Sequence, residues 1–435
     1  GRARTVRRRG TSASGGTFRC RPPASRLFSS PSPGRAVLKN PAIRDRDYRR
    51  LFAGAAFHQQ GMAGEQVVLG LLVIQLMGSS AWVGYTLAAY FTPFFVFGLV
   101  SGAITDWTDR RTLLRRIEIA TAATLAVFAI TLALGIVSIW LILAYCVCAG
   151  SLRAMHQPVR ASYAYDLVGQ DNLVSAMGLL NLGSRCGQLA GALVAGYVTE
   201  NVSAAAAVWC LAGGHLTAFF VFRSLHEAGV AAVKEHVPIR QNIREYIQEL
   251  KVNRLLLTLL IVTAATEVFG FSFATAFPEI VTGRLELGAE GLGLLQASRA
   301  SAGVVAGIAF ATFGARNRAG IIYLLTIAVF GAGLICLAQA STLVTVLAAV
   351  FLASICAATC DILSQSMLQL SVSNELRGRA MGIWVLALGF GPIGHLELGA
   401  VAEAVGLTTG LLINGCALIA IACLAAVVAL RLRRL

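Results

Sequence analysis

The chain is short of charge. Only 13% of its 435 residues are Asp, Glu, Lys or Arg, about half the share of an average soluble domain. Histidine and proline are scarce too, at six and ten. Set beside 57% hydrophobic residues and a mean hydropathy of +0.72, this scarcity excludes an ordinary soluble protein and a disordered chain. So few histidines also argue against a large metalloenzyme, and no metal site or other cofactor is expected. There is no G-x-x-x-x-G-K-[ST] phosphate loop, so the chain is not expected to hydrolyse ATP. H-E-x-x-H and G-x-S-x-G are missing as well, which leaves no support for a membrane-embedded hydrolase and points away from an enzyme.

Acid is missing altogether from residues 1–38, which are rich in Arg, Ser, Pro and Gly. Residues 1–50 hold 14 of the 36 Lys+Arg and two acids, Asp45 and Asp47; the other 385 residues carry 22 basic and 19 acidic side chains. The net charge of +15 therefore belongs to a tail and to loops, and no nucleic-acid partner is expected. Residues 1–40 read as a disordered basic tail. The ten cysteines fall inside apolar segments except for Cys20, so they read as small helix packers rather than a disulfide framework.

What is present is a series of long apolar runs. A helix needs about 20 largely apolar residues to span a bilayer, and twelve runs qualify, near 51–77, 82–104, 115–135, 139–160, 173–199, 204–222, 255–277, 291–313, 319–339, 343–369, 380–400 and 407–430. They are continuous rather than alternating, which predicts helices and an all-α membrane protein. The loops on one side hold Arg110, Arg111, Arg115 and Arg116, Arg160, the stretch from Arg223 to Arg254, Arg316 and Arg318, Arg377 and Arg379, and Arg431, Arg433 and Arg434. Those on the other side, 78–81, 136–138, 200–203, 278–290, 340–342 and 401–406, hold only Arg284. The positive-inside rule then places both termini on the cytoplasmic side of the cytoplasmic membrane.

The chain repeats itself. Ala176-Met177-Gly178-Leu179 parallels Ala380-Met381-Gly382-Ile383, and Gly187-Gln188-Leu189-Ala190-Gly191 parallels Gly391-Pro392-Ile393-Gly394. This predicts two parallel six-helix repeats, residues 41–223 and 254–435, around a central cavity, with 224–253 as a cytoplasmic amphipathic linker.

The stretch Gly102-Ala103-Ile104-Thr105-Asp106-Trp107-Thr108-Asp109-Arg110-Arg111 resembles the G-x-x-x-D-R-x-G-R-R loop of the major facilitator superfamily at Gly102, Asp106, Arg110 and Arg111. Trp107 and Asp109 depart from it. Arg46-Asp47-Tyr48-Arg49-Arg50-Leu51-Phe52 and Asn374-Glu375-Leu376-Arg377-Gly378-Arg379-Ala380-Met381-Gly382 resemble the branch of the enterobactin exporter and the transmembrane secretion effectors. The resemblance covers residues 41–430. It implies a proton-driven exporter of a small organic molecule working by alternating access, for which a monomer suffices. An importer or facilitator on the same fold, or a transport-inactive sensor or scaffold, are the alternatives. The expected partners are the substrate, protons and the bilayer.

Ionisable residues inside spans are costly and normally face a cavity or a partner. Glu65, Arg153, Arg185, Glu267, Arg299, Asp361 and Glu397 are such residues. The resemblance implies that spans 1, 4, 7 and 10 line the cavity, and Glu65, Arg153, Glu267 and Asp361 fall one on each. A carboxyl group held out of water favours its neutral form, so cavity acids can take up and release protons. Arg153 is a charge partner for such an acid, Arg185 and Arg299 are candidates for carboxylate pairing or an anionic substrate, and His156 is a candidate proton relay. Asp106 with Arg110 and Arg111 is the expected cytoplasmic gate loop. Gly183, Gly187 and Gly191 form a helix-packing stripe, and Gly391 and Pro392 a hinge.

Overall fold

The structure, a computed structural model, describes residues 44–107, 109–227, 250–251, 253–313, 318–371 and 384–428; for 96–107, 170–175, 311–313 and 369–370 it describes the backbone alone. The tail 1–40 and most of the linker 224–253 lie outside the described residues. No strand occurs among those that are described.

Local sequence sets where the helices begin and end. Helix α1 (Arg46–Met77) starts at Asp45, whose carboxylate accepts from the Tyr48 amide at 2.7 Å, and stops at Gly78 in the left-handed region. Helix α2 (Ser80–Trp107) follows almost at once. Helix α3 (Arg110–Ala133) is capped by Asp109, which accepts from the Arg111 and Thr112 amides. The departure from the superfamily's glycine at position 109 thus has a structural role.

Helix α4 (Ile139–Asn201) is 63 residues long and breaks at Gly169, whose φ of 70° only glycine adopts easily. The two expected spans 139–160 and 173–199 are its two arms. Helix α5 (Ala204–Arg223) completes the first half of the chain.

In the second half come α6 (Arg254–Phe269), α7 (Ala289–Phe313), α8 (Ala319–Gln339), α9 (Leu343–Leu370), α10 (Gly391–Val405) and α11 (Leu407–Val428). Expected span 255–277 is longer than predicted. After α6 the chain continues through a 3₁₀ turn, Phe271–Ala276, and a π turn, Ile280–Arg284. Arg284, the one arginine in the poor loop set, donates to the carbonyls of Leu337 and Ala340, both at 3.0 Å, and so caps the end of α8.

Among the described residues, ten helices are long and apolar enough to cross a membrane. Trp140, Val344 and Val427 stay more than 70% exposed on the outer surface, as lipid-facing residues do.

Candidate functional site

Helices α1 and α4 enclose a dry ion pair. Arg153 forks onto Glu65: Nε donates to Oε2 at 3.1 Å and Nη2 to Oε1. Each side chain is 1% exposed. Tyr90 of α2 donates to the same carboxylate at 3.0 Å, and Arg153 also donates to the His58 carbonyl at 3.2 Å. A buried ion pair persists only when its remaining donors and acceptors are satisfied, and these contacts do that.

Toward the arginine-rich end, a second cluster adjoins this pair, with Arg153 Nη2 3.2 Å from His215 Nε2. Glu118 of α3 is completely buried. His58 Nδ1 lies 2.7 Å from its Oε1 and His215 Nδ1 lies 2.7 Å from its Oε2. The His156 ring stacks on His58 with centroids 3.4 Å apart. Sequence reading named His156 but missed Glu118, which stands near Arg115 and Arg116 and reads there as a residue of the span's charged end. A signal existed: His58, His156 and His215, half of the chain's six histidines, occur at matching depths on three spans.

In the second half, Glu267 of α6, Arg299 of α7 and Asp361 of α9 share one electrostatic neighbourhood, and Arg185 of α4 joins them from the first half. Glu267 is buried, and its Oε1 has no hydrogen-bond partner. Arg299 stands over the Phe273 ring at 5.9 Å, and Arg185 donates to Gln188 at 3.2 Å. Glu397 lies apart, accepting from Asn414 at 3.2 Å. The structure therefore separates the expected residues into two groups: Glu65, Arg153 and His156 within the first half, and Arg185, Glu267, Arg299 and Asp361 across both.

At the arginine-rich end, Arg110 pairs with Asp166 of α4 and Arg111 donates to the His226 carbonyl at 2.9 Å. These contacts stay within the first half and the start of the linker. Gly102 falls in the described backbone of α2, while the Asp106 side chain lies outside the described residues. The stretch Arg46–Phe52, at the start of α1, is a clasp. Asp47 accepts from the His226 and Glu227 amides at 2.7 and 2.8 Å, and the Tyr48 hydroxyl donates to the Ala176 carbonyl at 2.6 Å.

Gly183, Gly187 and Gly191 face α1, where a Cβ would overlap the Phe52 ring, the Ala56 carbonyl and the Gln60 carbonyl in turn. Pro392 opens α10 rather than kinking it, because its missing N–H is spare in a first turn; the break falls just before it, at Gly389 and Phe390. Gly391 leaves space beside Glu267, whose Oε2 lies 3.6 Å from where a Cβ would stand.

The two halves meet at the opposite end. Ser79 donates to Glu403 at 2.6 Å, Ser80 to Glu279, and Asn201 to Glu290 at 2.9 Å. Gln296 donates to Gln66 at 3.2 Å below them. Gly196 and Gly293 bring α4 and α7 into backbone contact there.

The family described as transmembrane secretion effector matches residues 40–434. No curated protein matches the chain. Among solved structures, the nucleoside transporter NupG aligns at 13% identity with a TM-score of 0.69, covering 88% of this chain and 99% of that one. The peptide transporter POT in complex with sulfate aligns at 12% and 0.69, covering 93% and 99%. A POT family transporter in complex with a thioalcohol conjugated peptide aligns at 10% and 0.74, covering 89% and 96%. At such identities the likeness is one of fold. The chain belongs to the transmembrane secretion effector family and is a multi-pass membrane transporter of the major facilitator fold.

Proposed function

We propose that the protein is a secondary active transporter that couples proton movement to efflux of a small organic molecule across the cytoplasmic membrane. In this reading twelve spans form two parallel six-helix repeats with both termini in the cytoplasm, and a monomer is the working unit. The observation that carries it is the charged group shared by both halves: Arg185 from the first half and Arg299, Glu267 and Asp361 from the second. Two bundles that rock against each other separate Arg185 from Asp361, and a carboxyl that loses its cationic neighbour in a dry site takes up a proton. The unbonded Glu267 Oε1 is a ready proton acceptor in the same group.

The contacts of Ser79, Ser80 and Asn201 close the end with few arginines. In this reading the positive-inside rule turns that end outward, and these contacts are its closed outer gate. Export then requires these contacts to break.

The test compares metabolite pools inside and outside cells that carry wild type, Asp361→Asn or Glu65→Gln at equal membrane levels. A compound that accumulates outside only with wild type supports proton-coupled efflux and identifies the substrate. Accumulation inside makes the protein an importer. Identical pools in all three strains overturn the coupling role of these acids and favour a transport-inactive sensor.

A further inference from the structure

The Glu118 cluster is more than the ion pair beside it requires. Four helices supply it: Glu118 from α3, His58 from α1, His156 from the first arm of α4 and His215 from α5. The cations that face it are Arg153, bound to Glu65, and Arg160, which donates to Ser184. With neutral imidazoles the two carboxylates balance the two guanidinium groups, so the next proton to enter has to settle on Glu118 or a histidine.

The hydrogen bonds fix where protons stand. Arg153 Nη2 lies 3.2 Å from His215 Nε2. A guanidinium only donates, so Nε2 accepts with a bare lone pair and the His215 proton is on Nδ1. That N–H points to Glu118 Oε2 at 2.7 Å. The same assignment weighs against a metal ion. The ligand atoms of His58, Glu118 and His215 lie within 4.8 Å of one another, as a metal would need. A metal at His215 Nδ1, however, would move the proton to Nε2, against Arg153.

One nitrogen is open. His156 Nε2 is buried, has no hydrogen-bond partner and lies 3.5 Å from Glu118 Oε1. Protonated, it becomes a donor with an acceptor already facing it.

We propose that Glu118, His58, His156 and His215 form a second proton-binding station, which sets the hold of Arg153 on Glu65. This rests on the transport reading for its use, though not for its existence. A proton from the arginine-rich side adds to the open His156 nitrogen and is shared with Glu118 and its two hydrogen-bonded imidazoles. The added positive charge stands one imidazole away from Arg153, across the His215 ring. It opposes the guanidinium, Arg153 loosens, and Glu65 is freed to take up a proton. No bond other than N–H or O–H is made or broken, and the proton returns to water on the same path or through Glu65.

The test needs no substrate. Full-length protein with ¹³C-labelled glutamate carboxyls is purified in detergent and titrated from acid to alkaline pH, and the infrared band of protonated carboxyl is followed. Wild type should show a titrating component that Glu118→Gln removes. The component assigned by Glu65→Gln should move by about a pH unit, a tenfold change in proton affinity, when Glu118 is replaced. His156→Asn leaves both short bonds to Glu118 in place, so it should fold, and it should shift the Glu118 component. A wild-type spectrum with no such component, or a Glu65 component indifferent to Glu118 and His156, overturns the proposal. So does one equivalent of bound transition metal in wild type that His215→Asn loses, because the cluster is then a metal site. Failure of the efflux assay with success here removes the transport reading alone; the reverse removes only the station.

Discussion

Arg185 of α4 lies against Gly303 of α7, across the boundary between the two halves. A Cβ on Gly303 would stand 2.8 Å from the Arg185 Nε. The cation that one half lends to the acids of the other is therefore seated on a glycine.

Gly303→Ala should displace that guanidinium from Asp361 while leaving the helix intact, since alanine is the best helix former. The expected outcome is at least a tenfold loss of transport at unchanged membrane level. Gly307→Ala, one turn along, meets nothing within 4 Å and should transport normally. Equal rates for the two variants would detach Arg185 from the mechanism.

The glycine stripe on the second arm of α4 predicts a loss of stability. A Cβ at Gly187 or Gly191 overlaps backbone of α1, which cannot swing aside as a side chain can. Alanine at either position should cost about 1–3 kcal/mol, the usual range for overpacking. Gly178→Ala, with open space around it, should cost nothing comparable. Thermal unfolding of the detergent-purified variants reads the difference.

The helices were legible because bilayer burial imposes long apolar runs; their starts were not, although Asp45, Asp109, Ser138, Ser203 and Thr342 are N-cap residue types. Gly187 and Gly191 were legible by their spacing alone. Arg153 was legible as a buried charge needing a partner, but its choice of Glu65 over the other acids depends on how α1 and α4 are rotated, which composition does not encode. Glu118 was hidden for a related reason. Its distance along the chain from Arg115 is short, yet α3 turns it inward to meet three imidazoles while Arg115 reaches the carbonyls of Phe222 and Arg223 at the end of α5. Depth along a helix can be counted from sequence; the face it presents at a charged end is set by packing.

The Arg153–Glu65 pair predicts a non-additive cycle. Arg153→Gln strands a buried carboxylate and should destabilise the protein by about 3–5 kcal/mol, the range for breaking one side of a buried ion pair. Glu65→Gln strands the guanidinium at similar cost. The double variant leaves two neutral amides that can bond to each other, so it should lose less than the sum of the two. Unfolding midpoints of the four proteins give the coupling, and simple additivity would mean that the ion pair contributes nothing as a pair.

Closure of the arginine-poor end predicts a reversible lock. Ser79 Oγ and Glu403 Oε2 are 2.6 Å apart and belong to different halves. Cysteines at these two positions, placed in a background without the native thiols, should be joined by a short bifunctional thiosulfonate reagent. Nine of those native thiols are free in the structure, so they have to be removed before the reagent can report on one pair. Linked protein cannot part α2 from α10, and a transporter that alternates through this end should lose nearly all turnover. Reduction of the linker should restore it. Either single-cysteine variant treated in the same way should keep working, because one tethered thiol does not hold the halves together. Full transport by the linked double variant would mean that substrate passes without this end opening, and the rocking of the two halves would have to be abandoned as the mechanism.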